Sequence, residues 1–251
     1  MERKKFLKAF ALAAVTGPMI VESCKKDAAD KSGTTTTTGT TTSTTTSTNS
    51  DCIVTATETE GPYPYPGGEL TNPLKRTDIT EGTQTGIPLA LTIIIANADS
   101  SCAVVENARV DIWHCNKDGY YSGYGSQQGV LGGKSYVGST FLRGYQLTDA
   151  NGQVKFTTIF PGWYGGRTTH IHLEVYINNV MKKTTQIAFP QTIVDAVDVS
   201  TLYASLGVNP IRNTTDSIMG NSATDLANET VSLTGSIAAG YSGTYTIGLA
   251  L

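Results

Sequence analysis

The 251-residue chain is poor in charge: 18 basic and 21 acidic residues make up 16% of it, with a formal net charge of −3. Nothing in that balance suggests a nucleic-acid partner. No long amphipathic helical pattern and no internal repeat is present. The one apolar run near the start, residues 9–15, is far too short to cross a membrane as a helix. Nothing resembles a Gly-rich phosphate loop, a Gly-x-Ser-x-Gly elbow or paired metal-binding cysteines, and no serine sits in a recognisable nucleophile setting. Histidine is scarce as well, with three residues in all.

What is plentiful is glycine, 26 residues, together with threonine, and this composition favours a β-rich fold with many turns. Short strands are expected at residues 53–57, 88–96, 108–114 and 243–249. Residues 88–96 (PLALTIIIA) are almost continuously apolar, the pattern of a strand buried on both faces. In 108–114, Ala108, Val110 and Ile112 share a face. Asn-Gly within 149–152 marks a tight turn, so residues 139–147 and 153–160 are expected to form a hairpin. A second hairpin is expected from 168–177 and 180–189 around Asn178-Asn179. Residues 191–227 are less regular, with a short helix expected near 199–206. About eight strands at such spacing describe an all-β fold, an antiparallel β-sandwich with long loops.

The N-terminus has the form of an export signal over residues 1–23: Arg3, Lys4, Lys5 and Lys8 precede the short apolar run. Residues 21–27 resemble a bacterial lipoprotein processing site, which implies lipidation of Cys24 and a place in the cell envelope. The segment 3–8 also resembles a twin-arginine signal with lysine for one arginine. Residues 31–50 are almost wholly Thr, Ser and Gly, so 24–50 reads as a tether with nothing apolar to offset its ordering entropy. The folded domain is expected over 51–251; without residues 1–23 the chain holds 14 basic and 19 acidic residues. Membrane association is expected only through the lipid at Cys24. Of the other cysteines, Cys52 and Cys102 are the favoured pair, leaving Cys115 as a buried thiol.

The densest chemistry lies in residues 160–172, FPGWYGGRTTHIH, which hold two of the three histidines. Strand alternation puts His170 and His172 on one face with Glu174 and Tyr176, and Ile171, Leu173, Val175 and Ile177 on the other. A pair of imidazoles so placed is half of a metal site. Zinc with a third histidine or an acid completes it in one reading; a hard metal with phenolate ligands completes it in another. Tyr120, Tyr121, Tyr124 and Tyr164 all sit in loops beside glycines, where site residues are commonly carried. His114 falls on the side of Ile112 and Val110, which points to a core role. Glu58 and Glu60 read as loop charges.

Residues 113–123 (WHCNKDGYYSG) and 161–172 (PGWYGGRTTHIH) together resemble the signature of the intradiol ring-cleavage dioxygenases, and so do 59–63 (TEGPY) and 186–190 (QIAFP). The resemblance covers most of 52–190. It implies a non-haem Fe(III) held by Tyr121, Tyr164, His170 and His172, with Tyr121 eight residues after Trp113. It implies that Tyr164 is the ligand displaced when substrate chelates, that Arg167 steadies the catecholate, and that Gln186 sits near the ligand histidines. The implied reaction cleaves a catechol-type ring with O2, between its two hydroxyl-bearing carbons, to a muconate-type diacid. Only five residues separate Tyr164 from His170, and no helical dimerisation region like that of the catechol-specific branch precedes the core. The chain is therefore most similar to compact secreted members, with catechol, hydroxyquinol, protocatechuate and larger polyphenols all open as substrates. Two other readings stand beside it: a non-enzymatic β-sandwich binding lipoprotein, and a zinc hydrolase using His170 and His172.

Overall fold

A computed structural model provides the structure of the protein and describes residues 52–251. The export signal, Cys24 and the tether lie outside the described residues. In chain order the strands are β1 (Pro88–Asn97), β2 (Ala103–Val104), β3 (Arg109–Trp113), β4 (Gln127–Gly129), β5 (Gly132–Lys134), β6 (Arg143–Leu147), β7 (Gln153–Ile159), β8 (His170–Ile177), β9 (Val180–Ala188), β10 (Ser232–Ser236) and β11 (Gly240–Leu249). Two short α-helices, α1 (Gln191–Asp198) and α2 (Ala223–Glu229), lie between β9 and β10.

Two sheets face each other. One runs β10-β11-β1, with β2 and β7 sharing the other edge of β1; the second runs β6-β3-β8-β9. Leu89, Leu91, Ile93 and Ile95 of β1 meet Val110 and Ile112 of β3 and Ile171, Leu173 and Val175 of β8 in one core. Each such side chain contributes about 1.5–3 kcal/mol when removed from water. This pins the register of β8, because a slip of one residue would expose its aliphatic row and drive two imidazoles into the core. The β8–β9 hairpin turns on Asn178 and Asn179, both with positive φ (51° and 62°), as a tight primed turn requires.

The structure corrects several expectations. β1 is not buried on both faces: Ala90 is exposed and Thr92 and Ile94 are half-buried, because its outer face meets solvent. Residues 139–147 and 153–160 do not form a hairpin. The tight turn is there, with Asp149 Oδ1 accepting from the N–H groups of Asn151 and Gln153 (2.9 Å each), but it carries the chain between sheets. β6 pairs with β3, and β7 pairs with β1, whose free edge satisfies its backbone groups while Val154 and Phe156 enter the core. The helix lies earlier than 199–206: α1 starts directly after Pro190, whose fixed φ suits a helix entry, and 199–206 is a run of turns. Residues 53–57 contribute a single bridge, Val54 to Gly248, in place of a strand. β11 runs parallel to β1, the one departure from antiparallel pairing between the named strands. Cys52 and Cys102 are joined in a disulfide with Cα atoms 5.6 Å apart, and Cys115 is free and buried.

Candidate metal centre

β8 opens at the rim of its sheet, so the face of its polar row is covered by loops. His170 and His172 are 2% and 0% exposed. His170 Nδ1 lies 2.6 Å from the Thr168 carbonyl, which accepts the ring proton and leaves Nε2 with its lone pair. That Nε2 is 3.0 Å from Nε2 of His172, which in turn is 3.1 Å from the Tyr121 hydroxyl. Burial, with Arg167 adding to it, lowers the His170 pKa to about 3; burial and His170 together hold His172 well below the usual range. Both rings are therefore neutral, the form that ligates metals. Trp113, opposite His172 in the β3–β8 register, stacks on its imidazole with centroids 5.1 Å apart and planes within 6°. Gly61 crowds the ring at Cε1, with φ at 73° and so close that a Cβ there would stand 2.7 Å from that atom.

Tyr121 is delivered by the loop after β3. Asn116 Oδ1 accepts from the N–H groups of Asp118 and Tyr120, folding the loop back on itself. Gln127 then clamps the Tyr121 backbone from both sides, accepting from its N–H and donating to its carbonyl, each at 2.8 Å. The neighbouring phenols are committed elsewhere: Tyr120 donates to the Gly132 carbonyl (2.6 Å) and Tyr124 to the Pro64 carbonyl (2.7 Å). Of these three tyrosines, the structure brings Tyr121 to the histidines.

Tyr164 comes from the 160–167 loop, tied at one end by Phe160, which packs on Phe189 at 4.5 Å. At Gly162 the loop passes so near the Lys117 carbonyl that an added Cβ would lie 2.5 Å from it, which keeps this loop against the one carrying Tyr121. The Tyr164 ring stands 5.6 Å from those of both Tyr121 and His170. Its hydroxyl is buried and has no hydrogen-bond partner. Burial pushes its pKa up to about 12, offset in part by the Arg167 guanidinium. Tyr63, half-buried, stacks on Tyr121 at 4.6 Å and meets Tyr164 edge-on at 5.9 Å.

Arg167 is 9% exposed and fixed at two points: Nε donates to Asp216 (2.9 Å) and Nη2 to Gln186 Oε1 (2.6 Å). Gln186 sits opposite His172 in the β8–β9 pairing and donates to the Thr59 carbonyl at 2.7 Å. Asp216 also accepts from the Thr168 N–H at 2.7 Å; burial alone would raise its pKa, but these bonds and the Arg167 charge win and lower it. Asp216 carried no sequence signal, lying in an irregular stretch, and Tyr63 was visible only as part of the TEGPY segment. His114 stands apart from the cluster, its ring nitrogens engaged by the Cys115 carbonyl (2.8 Å) and Thr158 Oγ1 (2.7 Å). Among the described residues no group of three or more His, Cys, Asp or Glu side chains is placed to hold a metal. An ion bound to the histidine pair would take further ligands from the phenols. Tyr121, Tyr164, His170 and His172 can supply two oxygens and two nitrogens, the tyrosines as phenolates, a donor set suited to a hard trivalent ion.

A β-sandwich with a buried phenol–imidazole cluster beneath its loops defines a candidate mononuclear metalloprotein. The family model described as Dioxygenase (Dioxygenase_C) matches residues 59–205, and the chain belongs to the intradiol ring-cleavage dioxygenase family. It is 32% identical over 110 residues to catechol 1,2-dioxygenase of Acinetobacter baylyi, a match covering 36% of this chain and 32% of that relative. An intradiol ring-cleavage dioxygenase from Tetranychus urticae superposes with a TM-score of 0.66 at 26% identity, over 79% of this chain and 95% of that one. The 3-chlorocatechol 1,2-dioxygenase of Rhodococcus opacus, with a TM-score of 0.54 and 18% identity over 78% of this chain and 72% of that one, shares the fold.

Proposed function

We propose that the protein is a non-haem Fe(III) dioxygenase that cleaves a catechol-type ring between its two hydroxyl-bearing carbons. O2 supplies both added oxygens, and the product is a muconate-type diacid. The observation that carries this reading is a run of close contacts in which His170 Nε2 lies 3.0 Å from His172 Nε2, which lies 3.1 Å from the Tyr121 hydroxyl. Beside them lies the unpartnered, buried Tyr164 hydroxyl. These donors fit Fe(III): a buried polar atom without a partner is costly, and a metal ligand relieves that cost. When bound, the ion supplies the Lewis acidity that holds phenols and catechol as anions and the electronic activation toward O2.

The chain's own contribution is binding, orientation and proton handling. His170 and His172 hold neutral imidazoles in fixed orientation through the Thr168 carbonyl and the Trp113 stack. Tyr164, whose buried hydroxyl has no hydrogen-bond partner, would be held as phenolate by the bound ion and could then accept a proton at its Oη from the docking catechol. Arg167, locked by Asp216 and Gln186, steadies negative charge on the ring without reorganising. The Cys52–Cys102 disulfide supports action in an oxidising compartment outside the cytoplasm, in keeping with the lipoprotein-like sequence at Cys24.

Loading the purified protein with Fe(III) tests the reading. A visible tyrosinate-to-metal charge-transfer band, shifted by added catechol and accompanied by O2 uptake, is expected; oxygen electrodes then rank substituted catechols and larger polyphenols. A colourless protein that retains zinc after iron-replete expression sinks it.

A further inference from the structure

Arg143, the first residue of β6, is 1% exposed. Register places it opposite Trp113, which is opposite His172, which is opposite Gln186, so four residues form one row across the second sheet on the site's face. Its Nε donates to Ser122 Oγ (3.0 Å) and to the Ser122 carbonyl (3.2 Å), and Nη2 donates to that carbonyl at 2.8 Å. Ser122 directly follows Tyr121 and is itself held by the Phe141 carbonyl at 2.6 Å. Nη1 is buried without a partner. Among the described residues no carboxylate is within ion-pair distance of this guanidinium. Its Cζ instead lies 6.0 Å from the Tyr121 ring centroid and 5.7 Å from that of Tyr124.

A buried guanidinium with no ion-pair partner is costly, and burial lowers the Arg143 pKa even though the Glu69 carboxylate offsets part of that cost. Anchoring the loop needs only hydrogen-bond donors, which a neutral amide would supply. Beyond the field of Glu69, the full charge gains a use if the Tyr121 ring, 6.0 Å away, becomes an anion. We propose that Arg143 is a positioning residue for the metal centre, fixing the Tyr121 loop through Ser122 and supplying the counter-charge to the Tyr121 phenolate.

The inference rests on the Fe(III) reading above, and it has its own signature. A cation beside the Tyr121 ring stabilises the phenolate more than the electron-depleted ligand left by charge transfer, so it would raise the energy of that band. Removing the charge shifts the band to longer wavelength, on the order of 10 nm.

The experiment records absorption spectra and thermal melts of the iron-loaded wild type and of Arg143→Lys, Arg143→Met and Arg143→Gln. The wild-type band alone tests the Fe(III) reading, independently of the variants. With that band present, Met and Gln variants are expected to shift to the red while Lys stays near wild type. Unshifted bands in Met and Gln overturn the proposal, as does a Lys variant shifted as far as they are. Failure of both neutral variants to fold also overturns it, since Arg143 then serves the fold alone.

Discussion

The Tyr121 hydroxyl stands 3.1 Å from Nε2 of His172 although the two are 51 positions apart along the chain. One is carried by a loop that Asn116 and Gln127 shape, the other by a strand whose register the core sets. The site therefore depends on the stability of two separate devices, and each can be disturbed alone.

Replacing Tyr164 by phenylalanine separates function from stability. The iron-loaded variant should lose part of the charge-transfer intensity, and ring-cleavage activity should fall by about 100-fold or more. The metal-free variant should be at least as stable as wild type, by up to about 1–3 kcal/mol, because the change deletes a buried hydroxyl with no partner. Urea unfolding of the apo-protein and O2 uptake of the loaded protein read the two effects; a strongly destabilised apo-variant would contradict the unpartnered placement.

Asp216→Asn acts through Arg167. Breaking this buried pair should cost about 3–5 kcal/mol. It should also lower kcat/KM about 10- to 100-fold as the guanidinium loses its anchor. The Asp216 pKa is lowered in the fold, so its contribution is present above the unfolded-state value and is lost as pH falls through the folded one. The gap in stability between wild type and Asp216→Asn should accordingly shrink in acid, as denaturant melts across pH will show.

Glu229, the last residue of α2, gives the opposite sign. It is fully buried, its Oε2 has no partner, and burial with the charges of Glu58 and Asp225 raises its pKa to about 8. The neutral acid is favoured in the fold, so stability is greatest below the unfolded-state pKa and declines as pH rises toward 8. Glu229→Gln should flatten that decline and be the more stable protein at neutral pH. Thermal melts from pH 4 to pH 9 decide it, and parallel curves for the two proteins would refute the assignment.

Gly61→Ala tests the cradle around His172. A Cβ would meet the imidazole at 2.7 Å on a backbone whose φ of +73° already disfavours it. Iron affinity should drop by about 10- to 100-fold with the far-UV spectrum unchanged. Retained affinity, measured by chelator competition, would mean that Gly61 does not hold the ring at Cε1.

How much was legible beforehand differs from element to element. The β8–β9 hairpin was readable because Asn-Asn in a tight turn and strict alternation are both local properties. A β6–β7 hairpin does not form although its turn is equally local, because the choice of partner strand belongs to the open edge of β1. The two-sided burial expected for β1 failed because an apolar composition says nothing of what covers the outer face. His114 was placed correctly in the core by alternation with Val110 and Ile112.

By itself the sequence determined the pairing of His170 with His172, the loop chemistry around Tyr164 and the sandwich class, since period-two alternation and turn residues act over a few neighbours. The family resemblance pointed to Tyr121, and the tertiary structure supplied the reason: Tyr120 and Tyr124 are bound to carbonyls elsewhere while Tyr121 meets His172. The tertiary structure alone joined Arg167 to Asp216 and set Arg143 under the Tyr121 ring. Such contacts between loops and strands follow from how two sheets pack and where their loops are tied, which no local pattern encodes.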